Sequence, residues 1–209
     1  KFGLGQKFEI NLNTKTGIVA SREWKKEKLK DVWVRGDTVN TAIGQGFTIV
    51  SPLQLAVMVS RIANGGYPIE PFLIYDSIKR KENKLLFDNE PIVKSENIDL
   101  VKKAMYMVVN EKEGTSYWNR ILEPQYTMAG KTGTTQLINR AKKEELESQE
   151  GGLEERFKNH GIFVAFAPYD KPKYGIAVVI ENGGGGYIAV PIARDVLLYI
   201  QKKYDNSNL

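Results

Sequence analysis

The sequence of 209 residues contains no cysteine and only one histidine, His160. Without cysteine the chain can form neither disulfides nor thiolate metal sites, and one histidine is too few for a histidine-rich metal centre. No apolar run approaches the roughly 18 residues that a membrane-spanning helix needs. A globular chain that uses neither a metal nor a cofactor is therefore expected.

Charge of one sign is not in large excess either. The 30 lysines and arginines are interspersed with 25 aspartates and glutamates, so the net charge of +5 favours anionic partners only weakly. No basic stripe of the kind that binds nucleic acid is present. A hydrophobic fraction of 42% is enough for one substantial core, and no linker rich in proline and serine divides the chain.

Three helices are predicted from apolar residues at helical spacing. The first begins at Ser51-Pro52, where Ser51 and Gln54 can form a capping box, and it ends at Gly65-Gly66. Its apolar face consists of Leu55, Met58, Val59 and Ile62. The second begins at Ser95 and is expected to bury Ile98, Val101, Met105 and Val108. The third covers 187–203 and carries Ile188, Ile192, Val196 and Ile200 along one side.

Strands are predicted over 126–137, 160–168 and 173–181, where the composition is β-rich or apolar. A hairpin is expected around residues 79–83, and the basic segment 21–31 is expected to be an exposed link. Three antiparallel strands packed with helices predict an α+β layered domain.

Residues 138–159 differ from the rest because 11 of the 22 are charged and few are apolar. This composition favours a solvated excursion that is partly helical or mobile.

A Lys-Thr-Gly triplet, an element of penicillin-interacting serine enzymes, occurs at 15–17 and again at 131–133. In the second copy Thr132 and Thr134 point to the same side of a strand, and Gly133 leaves space between them. Two hydroxyls beside the ammonium of Lys131 would suit a carboxylate. The second copy is therefore the candidate site, and the first is interpreted as a surface turn.

Other candidate residues have structural interpretations. His160 precedes a strand, far in sequence from any second ligand, and Trp118 is expected in the core. The glycines 183–186 lack the spacing of a dinucleotide-binding loop, so a flexible link to the last helix is expected.

Three blocks, "GDTVNTAIGQGFTIVSPLQLA", "AGKTGTTQ" and "HGIFVAFAPYDKP…YGIAVVIENGGGG", occur in this order over most of the chain. They resemble the transpeptidase domain of class B penicillin-binding proteins, and "SREWKK" resembles the penicillin-binding protein 2 group. The resemblance implies the serine-transpeptidase/β-lactamase-like fold. It implies that Lys131 supports proton transfer at the catalytic serine, and that Thr132 and Thr134 hold the carboxylate of a D-Ala-D-Ala stem or a β-lactam. The N–H of Thr134 would supply half of the oxyanion hole, and Gly133 would let substrate lie along the strand.

The family's nucleophile lies in S-x-x-K, and no serine of this sequence has a lysine three residues later. "SEN" at 95–97 matches the family's S-x-N, but it follows "GQG" and is interpreted as a helix cap. We expect residues 1–209 to be one partial domain, the C-terminal portion of the transpeptidase domain, from a longer protein.

The parent would be a peptidoglycan D,D-transpeptidase at the periplasmic face of the bacterial inner membrane. The resemblance implies a RodA-type glycosyltransferase, other elongation-complex proteins, stem peptides and β-lactams as its partners, and no nucleic acid. A sensor of the same fold that binds wall peptides without catalysis, and a β-lactamase, stay as alternatives. An S-x-x-K upstream of Gly36 would exclude the sensor, and hydrolysis of the acyl-enzyme would indicate the β-lactamase.

Overall fold

A computed structural model of the chain describes residues 1–74, 90–137 and 154–205, together with residues 146 and 148. The predicted hairpin around 79–83 and most of the predicted excursion 138–159 lie outside these residues. Across the described ranges, five α-helices and three strands follow in the order α1, α2, α3, α4, β1, β2, β3, α5. None of the helices in these ranges is long and apolar enough to cross a bilayer.

The strands β1 (Ala129–Thr135), β2 (His160–Ala167) and β3 (Tyr174–Ile180) form an antiparallel sheet in the order β1-β2-β3. Gly133 of β1 faces Ile162 of β2, which in turn faces Val179 of β3. The predicted antiparallel sheet is confirmed. The long edge of β1 that faces away from β2 carries no further strand among the described residues.

Helices cover both faces of the sheet. One face, which includes Ala129, Val164 and Phe166, packs against α3 (Pro52–Ala63) and α4 (Ser95–Asn110). The other face, which includes Phe163 and Ala165, packs against α5 (Ala189–Asp205). Strand β2 is apolar at nearly every position because alternate side chains enter different cores.

Helix α3 is buried on two sides, which its sequence periodicity did not predict. Val59 faces the sheet, while Val57 packs with Phe8 and Ile10 of the N-terminal segment. Two buried polar side chains fasten this segment. Gln54 donates hydrogen bonds to the carbonyls of Gln6 and Thr16 at 2.8 and 2.9 Å. Arg61 donates to those of Lys1 and Ile69 at 2.6 and 2.8 Å.

The buried face of α5 differs from the predicted one. Ile192 and Val196 are 45% and 43% exposed, whereas Ala193 and Leu197 are fully buried. The small side chain of Ala193 lets the helix lie close to the sheet, so the branched side chains turn outward.

Two further predictions about apolar residues are wrong. Val101 of α4 is 42% exposed while Val109 of that helix is fully buried. Trp118, expected in the core, is 88% exposed and has its ring edge-on to Tyr117 at 5.3 Å. The first error comes from not knowing which side of α4 meets the sheet, and the second from treating a large aromatic side chain as buried although it lies in the 3-10 turn Tyr117–Asn119.

The predicted exposed link 21–31 is mostly exposed, but it is largely helix α1 (Arg22–Leu29), which Ser21 caps by accepting a hydrogen bond from the N–H of Trp24. Lys25 is buried and contacts Asp37 at 2.8 Å and Asp31 at 3.0 Å. These hydrogen bonds, first that with Asp37, raise the pKa of Lys25, and the bond from Lys25 lowers the pKa of both carboxyls. Asp37 belongs to α2 (Arg35–Ala42), so the contact joins the two helices.

Candidate active site

The second Lys-Thr-Gly triplet lies on β1, at the free edge of the sheet. The ammonium of Lys131 donates to the carbonyl of Thr132 at 2.8 Å, and the side-chain amide of Gln45 donates to the carbonyl of Thr134 at 2.8 Å. Both carbonyls therefore point away from β2. Because the N–H and C=O of one residue in an antiparallel strand point to the same side, the N–H groups of Thr132 and Thr134 face this edge too.

The two threonine hydroxyls lie on one face of β1, as the two-residue period predicts. The Oγ1 of Thr132 lies 3.4 Å from the Oγ1 of Thr115, in the loop after α4. The Oγ1 of Thr134 accepts a hydrogen bond from the N–H of Gly186 at 3.3 Å. Since an accepting hydroxyl keeps its own proton to donate, Thr134 can still donate to a bound anion.

A cavity of about 490 Å³ opens beside the triplet, and Lys131, Thr132 and Gly133 line one of its walls. The turn Gly44-Gln45-Gly46 lies on it as well, with His160. Apolar side chains complete the lining, among them Leu55, Met58, Ile162 and Val164. The cavity thus combines a cation and other polar residues with an apolar surface, as ligand sites usually do.

Three of the four predicted site residues line this cavity, and Thr134 reaches the site differently. Its side chain faces Gly186, while its carbonyl and N–H point to the free edge of β1. The structure therefore brings Lys131, Thr132 and Gly133 together in the cavity and presents Thr134 through its backbone.

The glycines 183–186, predicted to be a flexible link to the last helix, contact the site strand. Gly184 donates to the carbonyl of Asn159 at 2.8 Å, and Gly186 begins a 3-10 turn, Gly186–Ile188, packed against β1 and β2. A Cβ at Gly186 would lie 2.5 Å from the carbonyl oxygen of Gly133 and 2.8 Å from that of Ile162. The absence of a side chain lets this turn lie directly against the site strand.

The first triplet lies elsewhere. Lys15 and Thr16 are exposed, and Gly17 has a φ of +64° beside the isolated bridge between Ile18 and Ile49. None of residues 15–17 lines the cavity. The geometry agrees with the interpretation of this copy as a surface turn.

His160 has a structural contact, as expected. Its Nδ1 accepts a hydrogen bond at 2.9 Å from the N–H of Asn182, which has a φ of +54° in the turn after β3. Asn182 in turn donates to the carbonyl of Arg156 at 2.7 Å. In the described ranges, no three histidine, aspartate or glutamate side chains cluster in a way that could hold a metal.

Two polar residues at the site, Gln45 and Thr115, were not singled out from the sequence. Gln45 stands between two glycines with φ of +76° and +85°, and this G-Q-G turn is the signal that could have identified it. Nothing local to Thr115 indicates that its hydroxyl lies beside Thr132, because the two residues belong to different elements.

Comparison with known families places these observations in context. The profile of the penicillin binding protein transpeptidase domain matches residues 1–198. Among curated proteins, the peptidoglycan D,D-transpeptidase MrdA of Haemophilus influenzae is 34% identical over 204 residues, which cover 95% of this chain and 31% of that protein. The MrdA of Escherichia coli K12 is 31% identical over 214 residues, or 100% of this chain and 33% of that protein.

Two solved structures have the same arrangement of elements. The complex of penicillin-binding protein PBP2 with MreC from Helicobacter pylori matches with a TM-score of 0.75 at 27% identity, covering 97% of this chain and 34% of that one. The Pseudomonas aeruginosa PBP2 in complex with WCK 5153 matches with a TM-score of 0.72 at 30% identity, covering 95% and 41%. The chain spans about a third of the length of the curated relatives it matches.

Proposed function

The chain belongs to the family of penicillin binding protein transpeptidase domains, and from this premise we propose that it is the substrate-holding part of a serine-type peptidoglycan D,D-transpeptidase. In the reaction a serine hydroxyl attacks the D-Ala-D-Ala bond of a stem peptide and displaces the terminal D-alanine. An amine of a second stem peptide then displaces the serine and completes the cross-link. A β-lactam acylates the same serine by opening its ring.

The observation that carries this proposal is the free edge of β1 beside a cavity lined by Lys131, Thr132 and Gly133. An extended peptide can add to such an edge as a further strand, with backbone hydrogen bonds to the N–H and C=O groups that face it. The ammonium of Lys131 provides positive charge for the terminal carboxylate of the peptide. The missing side chain of Gly133 leaves room for the peptide's backbone.

The site residues take the following roles in this proposal. The hydroxyls of Thr132 and Thr134 donate to the carboxylate, and the contact of Thr134 with Gly186 N–H supports this role because it leaves the threonine proton free. The N–H of Thr134 stabilises the oxyanion as half of the oxyanion hole. Lys131 lies near the serine and assists proton transfer.

The nucleophile is the component that these 209 residues do not supply, since no serine is followed by lysine at the third position. We propose that the chain is one partial domain, the C-terminal portion of a transpeptidase domain, and that S-x-x-K belongs to the rest of the parent. The parent would act at the periplasmic face of the inner membrane, with a RodA-type glycosyltransferase and other elongation proteins. The MreC complex of the Helicobacter pylori PBP2 supports such partners.

The two triplets provide a matched test in the full-length protein. Thr132→Val removes a hydroxyl aimed at the carboxylate and keeps the branched shape, while Thr16→Val makes the same change in the exposed copy. A hydrogen bond to a charged group contributes about 1.5–3 kcal/mol, so Thr132→Val should slow acylation by labelled penicillin about ten- to a hundredfold. Thr16→Val should leave the rate unchanged. Equal effects of the two substitutions would contradict the choice of triplet.

The chain of residues 1–209 by itself should form no covalent adduct with labelled penicillin, because Lys131 and Thr134 can position a carbonyl but cannot attack it. Intact-mass spectrometry measures this directly, and a stoichiometric serine adduct would show that the nucleophile is misassigned. A full-length protein that binds penicillin reversibly but is never acylated would favour the sensor over the enzyme.

A further inference from the structure

Gln45 makes a contact that the proposed roles do not use. Its side-chain amide donates to the carbonyl of Thr134 at 2.8 Å, across 89 residues of sequence. This carbonyl faces the free edge of β1, where an added peptide strand would place a backbone N–H. The primary amide of Gln45 is a close chemical equivalent of that N–H, so the protein's own side chain occupies the position of a ligand group.

The turn that carries Gln45 is held by its backbone and leaves the side chain able to rotate. The N–H of Gln45 donates to the carbonyl of Asn40 at 2.9 Å, and that of Gly44 donates to Thr41 at 3.0 Å, so the turn is anchored on α2. Gly44 and Gly46 have positive φ. The Gln45 side chain is half-buried, and its only hydrogen bond in the described ranges is that with Thr134. Breaking the contact therefore requires only rotation of one side chain.

We propose that Gln45 is a specificity-determining residue, whose amide protects the Thr134 carbonyl in the empty site and gives way only to a ligand that brings its own N–H. A ligand with such an N–H exchanges one hydrogen bond for another of the same kind. A ligand without it leaves Gln45 bonded to the carbonyl, so only ligands that carry the N–H compete with Gln45. The inference rests on the proposed function and extends it from binding to selection between ligands.

The consequence is measurable in the full-length protein with two β-lactams. Benzylpenicillin carries an acylamino N–H beside its ring, and penicillanic acid has the same ring system with only hydrogen at that carbon. Gln45→Ala removes the competitor for the Thr134 carbonyl, so acylation by benzylpenicillin should become about two- to tenfold faster, the range expected for one neutral hydrogen bond. The rate with penicillanic acid should stay within about 1.5-fold, because it has no N–H at that position and forms no equivalent bond.

Two further variants separate this role from a structural one. Gln45→Met keeps about the same length but has no N–H and no charge, so it should match Gln45→Ala in the ratio of the two rates. Gln125→Ala makes the same truncation at an exposed glutamine that does not line the cavity, and it should leave the ratio unchanged. Thermal unfolding of each variant identifies any loss of folded protein.

Equal acceleration with both compounds, no change, or slowing with both would overturn the inference while leaving the proposed function intact. If the wild-type protein reacts with neither compound, the proposed function fails, and a crystal structure of the unliganded protein decides the inference. A Gln45 side chain that does not contact the Thr134 carbonyl in that structure would overturn the inference. A structure of the protein acylated by benzylpenicillin in which Gln45 still donates to the Thr134 carbonyl would also overturn the inference.

Discussion

Gly186 is the position where one added methyl group should have the clearest effect on the site strand. A Cβ there would lie 2.5 Å from the carbonyl oxygen of Gly133, 2.8 Å from that of Ile162 and 2.9 Å from the N of Gly133. All three are main-chain atoms of paired strands, so no side chain can rotate to make room. Either β1 shifts or the 3-10 turn retreats, and the hydrogen bond from Gly186 to Thr134 is lost.

We expect Gly186→Ala to lower the free energy of unfolding by about 2–4 kcal/mol, from about 1–3 for overpacking and about 1 for the lost hydrogen bond. Urea unfolding measures this. Gly36→Ala is the matched control, because Gly36 lies in α2 and an added Cβ there would have no heavy atom within 4 Å. Alanine is the better helix former, so the control should gain about 0.5–1 kcal/mol.

The same pair of variants tests the effect on chemistry. A retreat of the turn moves Thr134, so Gly186→Ala should also slow acylation by labelled penicillin in the full-length protein, while Gly36→Ala should not. If Gly186→Ala unfolds at the same urea concentration as the control and reacts at the wild-type rate, the glycine turn does not hold β1 in place.

Two further predictions concern the elements that support the site. Gln54→Ala removes the capping box and the donors to Gln6 and Thr16, so the free energy of unfolding should fall by about 2–4 kcal/mol in a urea titration, against less than about 0.5 for the exposed Gln125→Ala. Lys25 lowers the pKa of Asp37, so this contact stabilises the protein above the ordinary aspartate pKa and is lost as pH falls through the lowered one. The gap in melting temperature between wild type and Asp37→Asn should therefore be constant from about pH 5 to 9 and shrink below about pH 4; a gap that persists at pH 2 would contradict this.

Features that depend on neighbours in sequence were predictable. The capping box of α3 is present with both reciprocal hydrogen bonds, Gln54 N–H to Ser51 Oγ at 3.3 Å and Ser51 N–H to Gln54 Oε1 at 3.1 Å. The three strands follow from runs of apolar and β-branched residues. In each case the interacting residues lie close together in the sequence, so a short segment is enough to predict the structure.

Features that depend on which helix and sheet surfaces pack together were not predictable. Most of the lysine-rich segment of α1 is exposed as interpreted, but neither its helix nor the burial of Lys25, which Asp31 and Asp37 neutralise, was predicted. On α5 the branched face seemed the natural core face, yet the sheet accepts Ala193 because it allows a closer approach. The number of charged or apolar residues in a segment does not reveal which ion pairs form or how closely a helix approaches the sheet.

The candidate site also has features that the local sequence predicts and features that it does not, and Thr134 has both. Periodicity predicts that its hydroxyl shares a face with that of Thr132, and this is observed. Its hydroxyl contacts Gly186, 52 residues away, and its carbonyl contacts Gln45, 89 residues away. One residue thus joins the glycine turn behind the strand to the glutamine turn in front of it. Because Thr134 contacts both turns, a substitution there should alter the stability of the strand and the reaction with the ligand at once, as Gly186→Ala should, whereas Gln45→Ala should alter only the reaction with the ligand.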